Sequence, residues 1–153
     1  MKQLEFFNPP AREFGGGLNQ GKRKSTRAIS TNLPIHLVLK TRKELNLFTQ
    51  VNRNDFLIYL ARYTKKFNIK LYSWSVQKNH IHLCIRISQR ENYQKFIRSL
   101  TGILARLWGK GVWQLLPYSR LVNWGKDFQN VLNYIEMNEA EIQGFREYKK
   151  RVK

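Results

Sequence analysis

Two histidines, His80 and His82, are separated by one apolar residue. The residues that follow alternate between apolar and other types, which predicts a β-strand, and side chains two positions apart on a strand point to the same face. Two neighbouring imidazoles can hold one divalent metal ion, but they would need at least one further ligand. The alternative interpretation is two polar residues on the solvated face of a strand.

The last predicted helix carries two residues that could complete such a site. Tyr134 and Asn138 are four positions apart, so they lie on one helix face about one turn from each other. The carboxamide oxygen of Asn138 could be a third ligand, and the hydroxyl of Tyr134 could attack a phosphate beside the metal. Taken singly, Tyr134 is also explained as a packing residue, and Asn138 as a helix-end residue.

The composition favours a polyanionic partner. The chain has 153 residues, with 28 Lys and Arg against 10 Asp and Glu, and therefore a formal net charge of +18. Nucleic acid is the favoured partner and an anionic membrane surface the weaker one. No apolar run is long enough to span a bilayer, and the N-terminus lacks the apolar stretch of a signal peptide. Cys84 is the single cysteine, which excludes an internal disulfide and fits a reducing cytoplasm.

Two regions are predicted. Residues 1–30 lack apolar periodicity and contain a triple glycine and a basic cluster, which predicts a flexible basic arm. Residues 31–153 are predicted to form one domain, with helices beginning at Asn52, Ser88 and Asp127. The predicted order is β-α-β-β-α-β followed by a C-terminal helix, an α+β ferredoxin-like sandwich with an antiparallel sheet. The predicted strands are residues 35–39, 71–76, 80–87 and 112–122.

This fold predicts on which face of the sheet the histidine pair lies. The apolar residues of the third predicted strand should lie under the two helices, and they are Ile81, Leu83, Ile85 and Ile87. His80, His82, Cys84 and Arg86 should then face the side of the sheet that those helices leave free. On the preceding predicted strand, the same alternation places Tyr72, Trp74 and Val76 together on one face.

These segments resemble the HUH endonucleases. His80-Ile81-His82 is similar to their histidine–hydrophobe–histidine motif, and residues 134–138 resemble the tyrosine helix of their single-tyrosine, IS200-like transposase branch. Residues 112–114 and 118–122 match the segment ahead of that helix. The basic leader at 22–27, running into Pro34-Ile35-His36, is similar to REP-associated tyrosine transposases. The resemblance covers residues 22–145.

The chain departs from this branch at two positions. Glu139 stands where the branch usually has a proline directly after the asparagine, and Lys78 stands where a proline often precedes the Asn-His pair. Without proline at 139, the helix is free to continue past Asn138.

The resemblance implies a transposase that nicks and rejoins single-stranded hairpin DNA through a covalent 5′-phosphotyrosine on Tyr134. It also implies Mg²⁺ or Mn²⁺ held by His80, His82 and Asn138, a homodimer, no nucleotide cofactor, no membrane partner, and a bacterial cytoplasmic location with the nucleoid. Basic residues expected to contact DNA are Lys22, Arg23, Lys24, Arg27, Arg86 and Arg120. Candidates for stacking on unpaired bases are Trp74, Trp113 and Trp124, with core or rim packing as the alternative for most tryptophans. His36 either joins the same face or is a structural histidine.

A different class of function stays open: a non-catalytic, degenerate nucleic-acid-binding module on the same ferredoxin-like sheet. An RNA-recognition motif would place aromatic residues on the third strand, where this chain has His80-Ile81-His82. A two-histidine phosphoesterase would need two His-x-Thr/Ser motifs, and the chain has neither.

Overall fold

One antiparallel sheet forms the centre of the molecule, with helices on both of its faces. The computed structural model describes residues 12–22, 25–47 and 49–150. In chain order the elements are β1 (Glu13–Phe14), a short 3-10 helix (Gly16–Asn19), β2 (Ile35–Lys40), α1 (Gln50–Lys66), β3 (Ile69–Val76), β4 (His80–Ile87), α2 (Arg90–Trp108), β5 (Tyr118–Leu121) and α3 (Lys126–Ile142).

The strand order confirms the predicted fold class. Across the sheet the strands follow β1-β5-β2-β4-β3, and all neighbours are antiparallel. Without the two-residue edge strand β1, the order and the two crossing helices are those of a ferredoxin-like β-α-β-β-α-β sandwich. Strand β4 is central and pairs with β2 on one side and β3 on the other, so both flanks of the histidine pair are hydrogen-bonded.

The apolar face of β4 lies under α1 and α2, as its alternation predicts. Its four aliphatic side chains are at most 1 % exposed. They belong to one cluster with Phe56 and Leu60 of α1 and with Phe96 and Leu100 of α2. Burying each such side chain contributes about 1.5–3 kcal/mol to folding, which makes a register slip of β4 costly. The same constraint holds the histidines on the opposite face.

Helix α3 covers that opposite face. Val131 and Ile135 of the helix form a second buried cluster with Cys84 of β4 and with Val122, which directly follows β5. Burial raises the pKa of the Cys84 thiol to about 12, so this cysteine acts as a packing residue. The histidine face is therefore a second interface inside the molecule rather than an open surface.

A bulge in β3 contradicts the predicted grouping of its aromatic residues. The register shifts between Leu71 and Ser73, so the alternation changes phase at Tyr72. Trp74 and Val76 consequently pack with the main core, whereas Tyr72 packs on the side of α3.

The predicted fourth strand is shorter than expected. Within residues 112–122, the structure has strand only at Tyr118–Leu121, while Trp113 makes a single bridge to Thr41. Pro117 lacks the N–H that a continuous ladder requires. Part of the predicted N-terminal arm is ordered, since β1 pairs with β5 along the sheet edge. Arg23 and Lys24 of the basic cluster lie outside the described residues.

The three predicted helix starts also differ. Helix α2 begins at Arg90 after Gln89, which makes no side-chain cap hydrogen bond, rather than at Ser88. Thr49, not Asn52, caps α1, and its hydroxyl accepts from the Asn52 N–H at 3.2 Å. Asp127 lies inside the first turn of α3, where it accepts from the Asn123 N–H at 2.9 Å. In the described part of the chain, no helix combines the length and apolarity that crossing a bilayer requires.

Candidate active site

Strand β4 holds the two histidines side by side. The ring centroids of His80 and His82 are 4.9 Å apart, with their planes nearly perpendicular at 83°. His82 is only 5 % exposed, whereas His80 is half-buried at the end of the strand. Backbone pairing of β4 with β2 and β3 holds these positions.

His80 presents one ring nitrogen for binding. Its Nδ1 lies 3.0 Å from Oδ1 of Asn79, an oxygen that accepts, so Nδ1 carries the proton and Nε2 is the lone-pair atom. Burial, helped by the positive charge of Lys40, lowers the pKa of His80 below its ordinary value. A neutral imidazole is the form that binds a metal ion.

His36 joins this face and contacts the pair directly. Its Nε2 lies 3.1 Å from Nδ1 of His82, and the two rings stack with centroids 5.4 Å apart. Burial, with a smaller effect from Arg120, lowers the pKa of His36 to about 4, so it is neutral at pH 7. The alternation of β2 already indicates that His36 points away from the main core; its contact with His82 depends on the register between β2 and β4, which the sequence does not reveal.

Tyr134 lies directly over the histidines. Its ring meets the rings of His82 and His36 edge-on, with centroids 5.5 Å and 6.2 Å apart. The side chain is 37 % exposed. The buried neighbours Val131 and Ile135 anchor α3 against the sheet and turn Tyr134 toward β4 of its own chain. The histidines and the tyrosine that the sequence singles out are therefore adjacent.

Asn138 and His80 line one cleft together with Tyr134. This histidine cleft has a volume of about 410 Å³, and its lining also includes Gln77, Glu141 and Tyr148. Asn138 is 7 % exposed, and the side-chain amide of Gln77 donates to its backbone carbonyl at 2.9 Å. Both predicted site residues of α3 thus border the same space as His80, and Tyr134 also contacts the His82 ring.

Glu139 stabilises α3 at the position where the single-tyrosine branch usually has a proline. Its carboxylate accepts from the Arg53 guanidinium at 2.6 Å and from the Val76 N–H at 3.0 Å, and it also accepts from Gln143. The ion pair is well shielded, with side-chain exposures of 15 % and 16 %. Glu139 therefore ties α3 to both α1 and β3, directly beside Asn138.

We expect Glu139→Ala to lower the free energy of unfolding by about 2 kcal/mol, because it leaves a shielded guanidinium and a backbone N–H without their acceptor. Glu139→Gln should cost less, since its amide oxygen can still accept. Urea unfolding measures both changes. The control is Glu136→Ala, an exposed glutamate on the same helix, which should change stability by less than about 0.5 kcal/mol. Equal losses at 136 and 139 would contradict this role.

A second cleft borders Tyr134 on the other side. This arginine cleft measures about 290 Å³ and is lined by His36, Arg120, Asp127, Asn130, Val131 and Tyr134. Arg120 donates twice to Asp127, at 3.0 Å each. That hydrogen bonding raises the pKa of Arg120 and lowers the pKa of Asp127. Arg120 is therefore held rigidly as a cation near the tyrosine.

The remaining basic candidates are dispersed. Arg27 donates to the Ser119 hydroxyl at 2.6 Å and lies over the rings of Phe14 and Tyr93, so it ties the N-terminal segment to the domain. Lys22 is exposed. Arg86 lies on the histidine face of β4 but near Trp124, with 5.9 Å between its guanidinium carbon and the ring centroid.

The candidate ligands suit a divalent ion that completes its coordination shell with oxygens of a substrate phosphate. Within the three described ranges, no group of three or more His, Cys, Asp or Glu side chains is placed to hold a metal. The Asn138 carboxamide borders the same cleft as His80 and is a candidate ligand of another type. Mg²⁺ and similar ions complete their shells with water and substrate phosphate oxygens. As ligands, two imidazoles and an amide would carry no negative charge, so they would leave the positive charge of such an ion available to attract the substrate phosphate.

A solved structure has a similar architecture. The chain resembles a solved REP-associated tyrosine transposase bound to a REP hairpin, with a TM-score of 0.67 and 13 % identity over 78 % of this chain and 73 % of that one. A second match is a candidate transposase from Deinococcus radiodurans R1, with a TM-score of 0.48 and 17 % identity over 76 % and 98 % of the two chains. No curated protein matches significantly.

A family model settles the membership. The model described as transposase IS200-like matches residues 29–138. This range begins before β2 and ends at Asn138, so it includes the histidine pair and Tyr134. The chain belongs to the IS200-like transposase family.

Proposed function

We propose that this transposase nicks and rejoins single-stranded hairpin DNA through a covalent bond between Tyr134 and a 5′-phosphate. The observation that carries the proposal is the placement of the Tyr134 ring 5.5 Å from the His82 ring, at the edge of the cleft that His80 and Asn138 line. A nucleophile beside two imidazoles is an arrangement suited to metal-assisted phosphoryl transfer.

In the proposed reaction, the Tyr134 hydroxyl loses its proton to solvent and its oxygen attacks the scissile phosphorus. The bond from phosphorus to the 3′-oxygen breaks, and that oxygen takes up a proton to become a free 3′-hydroxyl. When bound by His80, His82 and Asn138, Mg²⁺ or Mn²⁺ would polarise a non-bridging phosphate oxygen. A second 3′-hydroxyl reverses the step, so no nucleotide cofactor is needed.

Charge and a solved relative support the DNA substrate. The net charge of +18 favours a polyanion, and the REP-associated neighbour is bound to a REP hairpin. Arg120, fixed by Asp127 at the arginine cleft, is the described cation best placed to meet a phosphate next to Tyr134. A homodimer and a bacterial, nucleoid-associated location in the cytoplasm stay predictions of the same proposal.

The test is adduct formation by the native chain. The protein is incubated with a labelled single-stranded hairpin and Mn²⁺, then denatured and separated by electrophoresis. We expect a labelled protein band with the hairpin and none with a fully paired linear duplex or with a chelator. Hairpin binding without any adduct under all metal conditions would overturn cleavage and favour the non-catalytic module.

His36 is proposed as a positioning residue for His82. Because its Nε2 lies 3.1 Å from the His82 Nδ1, accepting that proton would keep the Nε2 of His82 for the metal. We expect His36→Leu to weaken Mn²⁺ affinity by about 10–100-fold, as measured by calorimetry with the full chain. His36→Gln, whose side-chain oxygen can accept the same hydrogen bond, should restore most of the affinity. Equal affinities in the native chain and the leucine variant would contradict the role.

A further inference from the structure

An exposed aromatic cluster lies at the start of α3, away from the histidine pair. It consists of Tyr72, Trp124 and Phe128, whose rings meet edge-on or tilted with centroids 5.0–6.0 Å apart. Trp124 is 46 % exposed, while the other two residues are partly buried. Edge-to-face contacts of this kind stabilise ring positions, so the cluster presents a rigid exposed indole.

The orientation of Trp124 is fixed by three separate parts of the chain. Its Nε1 donates to the Asn32 carbonyl at 2.9 Å. The bulge in β3 brings Tyr72 onto this side of the sheet. Phe128 comes from the first turns of α3. An indole that is both half-exposed and held on several sides is suited to contact a flat partner with little further loss of conformational entropy.

Two cations border the cluster. The guanidinium carbon of Arg86 lies 5.9 Å from the Trp124 ring centroid, and the Lys70 ammonium lies 5.3 Å from that of Tyr72. Lys70 and Arg86 are cross-strand partners on the same face of the sheet. Aromatic rings interleaved with cations match the chemistry of single-stranded nucleic acid, in which flat bases alternate with phosphates.

The other tryptophans lack this combination. Trp113 donates to the Thr101 carbonyl at 2.9 Å and its ring centroid lies 6.1 Å from that of Trp108. Trp74 packs against the main core under Arg53. All three are only partly exposed. Of the predicted stacking residues, Trp124 is the one with substantial exposure and neighbouring basic side chains.

We propose that Trp124 stacks on an unpaired DNA base in a single-stranded segment adjoining the hairpin, with the flanking phosphates near Arg86 and Lys70. The choice of DNA rests on the proposed function. Phe128 precedes Tyr134 by six residues, or about 9 Å along the helix axis. The arginine cleft runs along this stretch of α3, where Asp127 and Tyr134 both line it. The stacked base would therefore belong to the same strand as the phosphate that is cleaved, a few nucleotides away.

The first experiment uses the native chain and measures binding in the presence of a chelator, so that cleavage plays no part. Three DNA probes are compared: a blunt hairpin, the hairpin with a short single-stranded tail, and the tailed hairpin with abasic tail nucleotides. The abasic tail keeps the phosphates and removes the bases. We expect the tail to strengthen binding about 10-fold and the abasic tail to lose that gain, as for one stacked base. Equal binding of the normal and abasic tails would overturn the proposal.

The second experiment tests whether Trp124 is the residue that strengthens binding to the tail. Trp124→Ala should bind the tailed hairpin about 10-fold more weakly than the native chain does and the blunt hairpin equally well, whereas Trp124→Phe should keep most of the tail preference. The control is Leu116→Ala, which removes an exposed apolar side chain from a different cleft and should change neither affinity. If Trp124→Ala preferred the tailed hairpin over the blunt one as strongly as the native chain does, the assignment of stacking to Trp124 would be overturned.

RNA is tested with the same design. An RNA tail that strengthens binding as much as the DNA tail would overturn the assignment to DNA. Failure of stacking is distinguishable from failure of the proposed nicking activity, because adduct formation on a hairpin is a separate measurement that requires metal and Tyr134.

Discussion

Replacing Tyr134 by phenylalanine should abolish the covalent protein–DNA adduct and slow strand cleavage by more than about 10³-fold. The substitution removes only the hydroxyl, while the ring can keep its edge contacts with His82 and His36 at 5.5 Å and 6.2 Å. Because the side chain is already 37 % exposed, we expect stability to change by less than about 0.5 kcal/mol. The measurement is denaturing electrophoresis with labelled hairpin DNA and Mn²⁺, beside a binding titration that should match the native chain.

The matched control is another tyrosine at the same cleft. Tyr148 is 73 % exposed and lines the histidine cleft together with Tyr134. Tyr148→Phe should form the adduct at the native rate. An adduct that persists in Tyr134→Phe and disappears in Tyr148→Phe would move the nucleophile to residue 148 and contradict the role of α3.

Removing the histidine pair should have the second large effect. We expect His80→Ala with His82→Ala to slow cleavage by more than about 100-fold, since both proposed imidazole ligands are lost. Even replacing a residue that only hydrogen-bonds to a metal ligand costs about 10–100-fold. Metal should also no longer stabilise the folded state of the double variant. A native chain with Mn²⁺ at 100 times its dissociation constant gains about 2.7 kcal/mol of stability, and the double variant should gain almost none.

Thermal unfolding with and without Mn²⁺ measures this difference independently of DNA. Because His82 is only 5 % exposed, the double glutamine variant is a second test that leaves a smaller cavity. The control is Lys78→Ala, an exposed residue in the turn before the pair, which should retain the full metal-dependent shift. Metal stabilisation that survives loss of both histidines would place the ion elsewhere.

Most of the architecture around the pair is predictable from side-chain alternation. The apolar residues of β4 must enter the main core, and they are Ile81, Leu83, Ile85 and Ile87. Because side chains alternate along a strand, His80 and His82 lie on the opposite face. The apolar stripe of α3 predicts that this helix packs against another surface, but not which one. Its packing over the histidine face, which brings Tyr134 to the histidines, is a finding of the structure.

Features that depend on register or on long-range hydrogen bonds are not predictable in this way. The bulge at Tyr72 reverses the faces of the following residues, and no glycine or proline within β3 marks it. The contact between His36 and His82 requires the pairing of two strands far apart in sequence. The ties from Glu139 to Arg53 and Val76 likewise join residues from three elements. The absence of proline at residue 139 indicates that α3 continues past Asn138. It does not indicate which contacts stabilise the end of the helix.

The most direct test of the nucleophile is to identify the residue that carries the DNA. Trypsin cuts after Lys126 and Arg146, so Tyr134 lies in peptide 127–146 as its one tyrosine, while Tyr148 falls in the next peptide. The adduct formed on hairpin DNA with Mn²⁺ is trimmed with nuclease and its peptides are sequenced by mass spectrometry. We predict the added nucleotide mass at Tyr134 within peptide 127–146. A nucleotide on any other residue, or no modified peptide from an active preparation, would contradict the proposed mechanism.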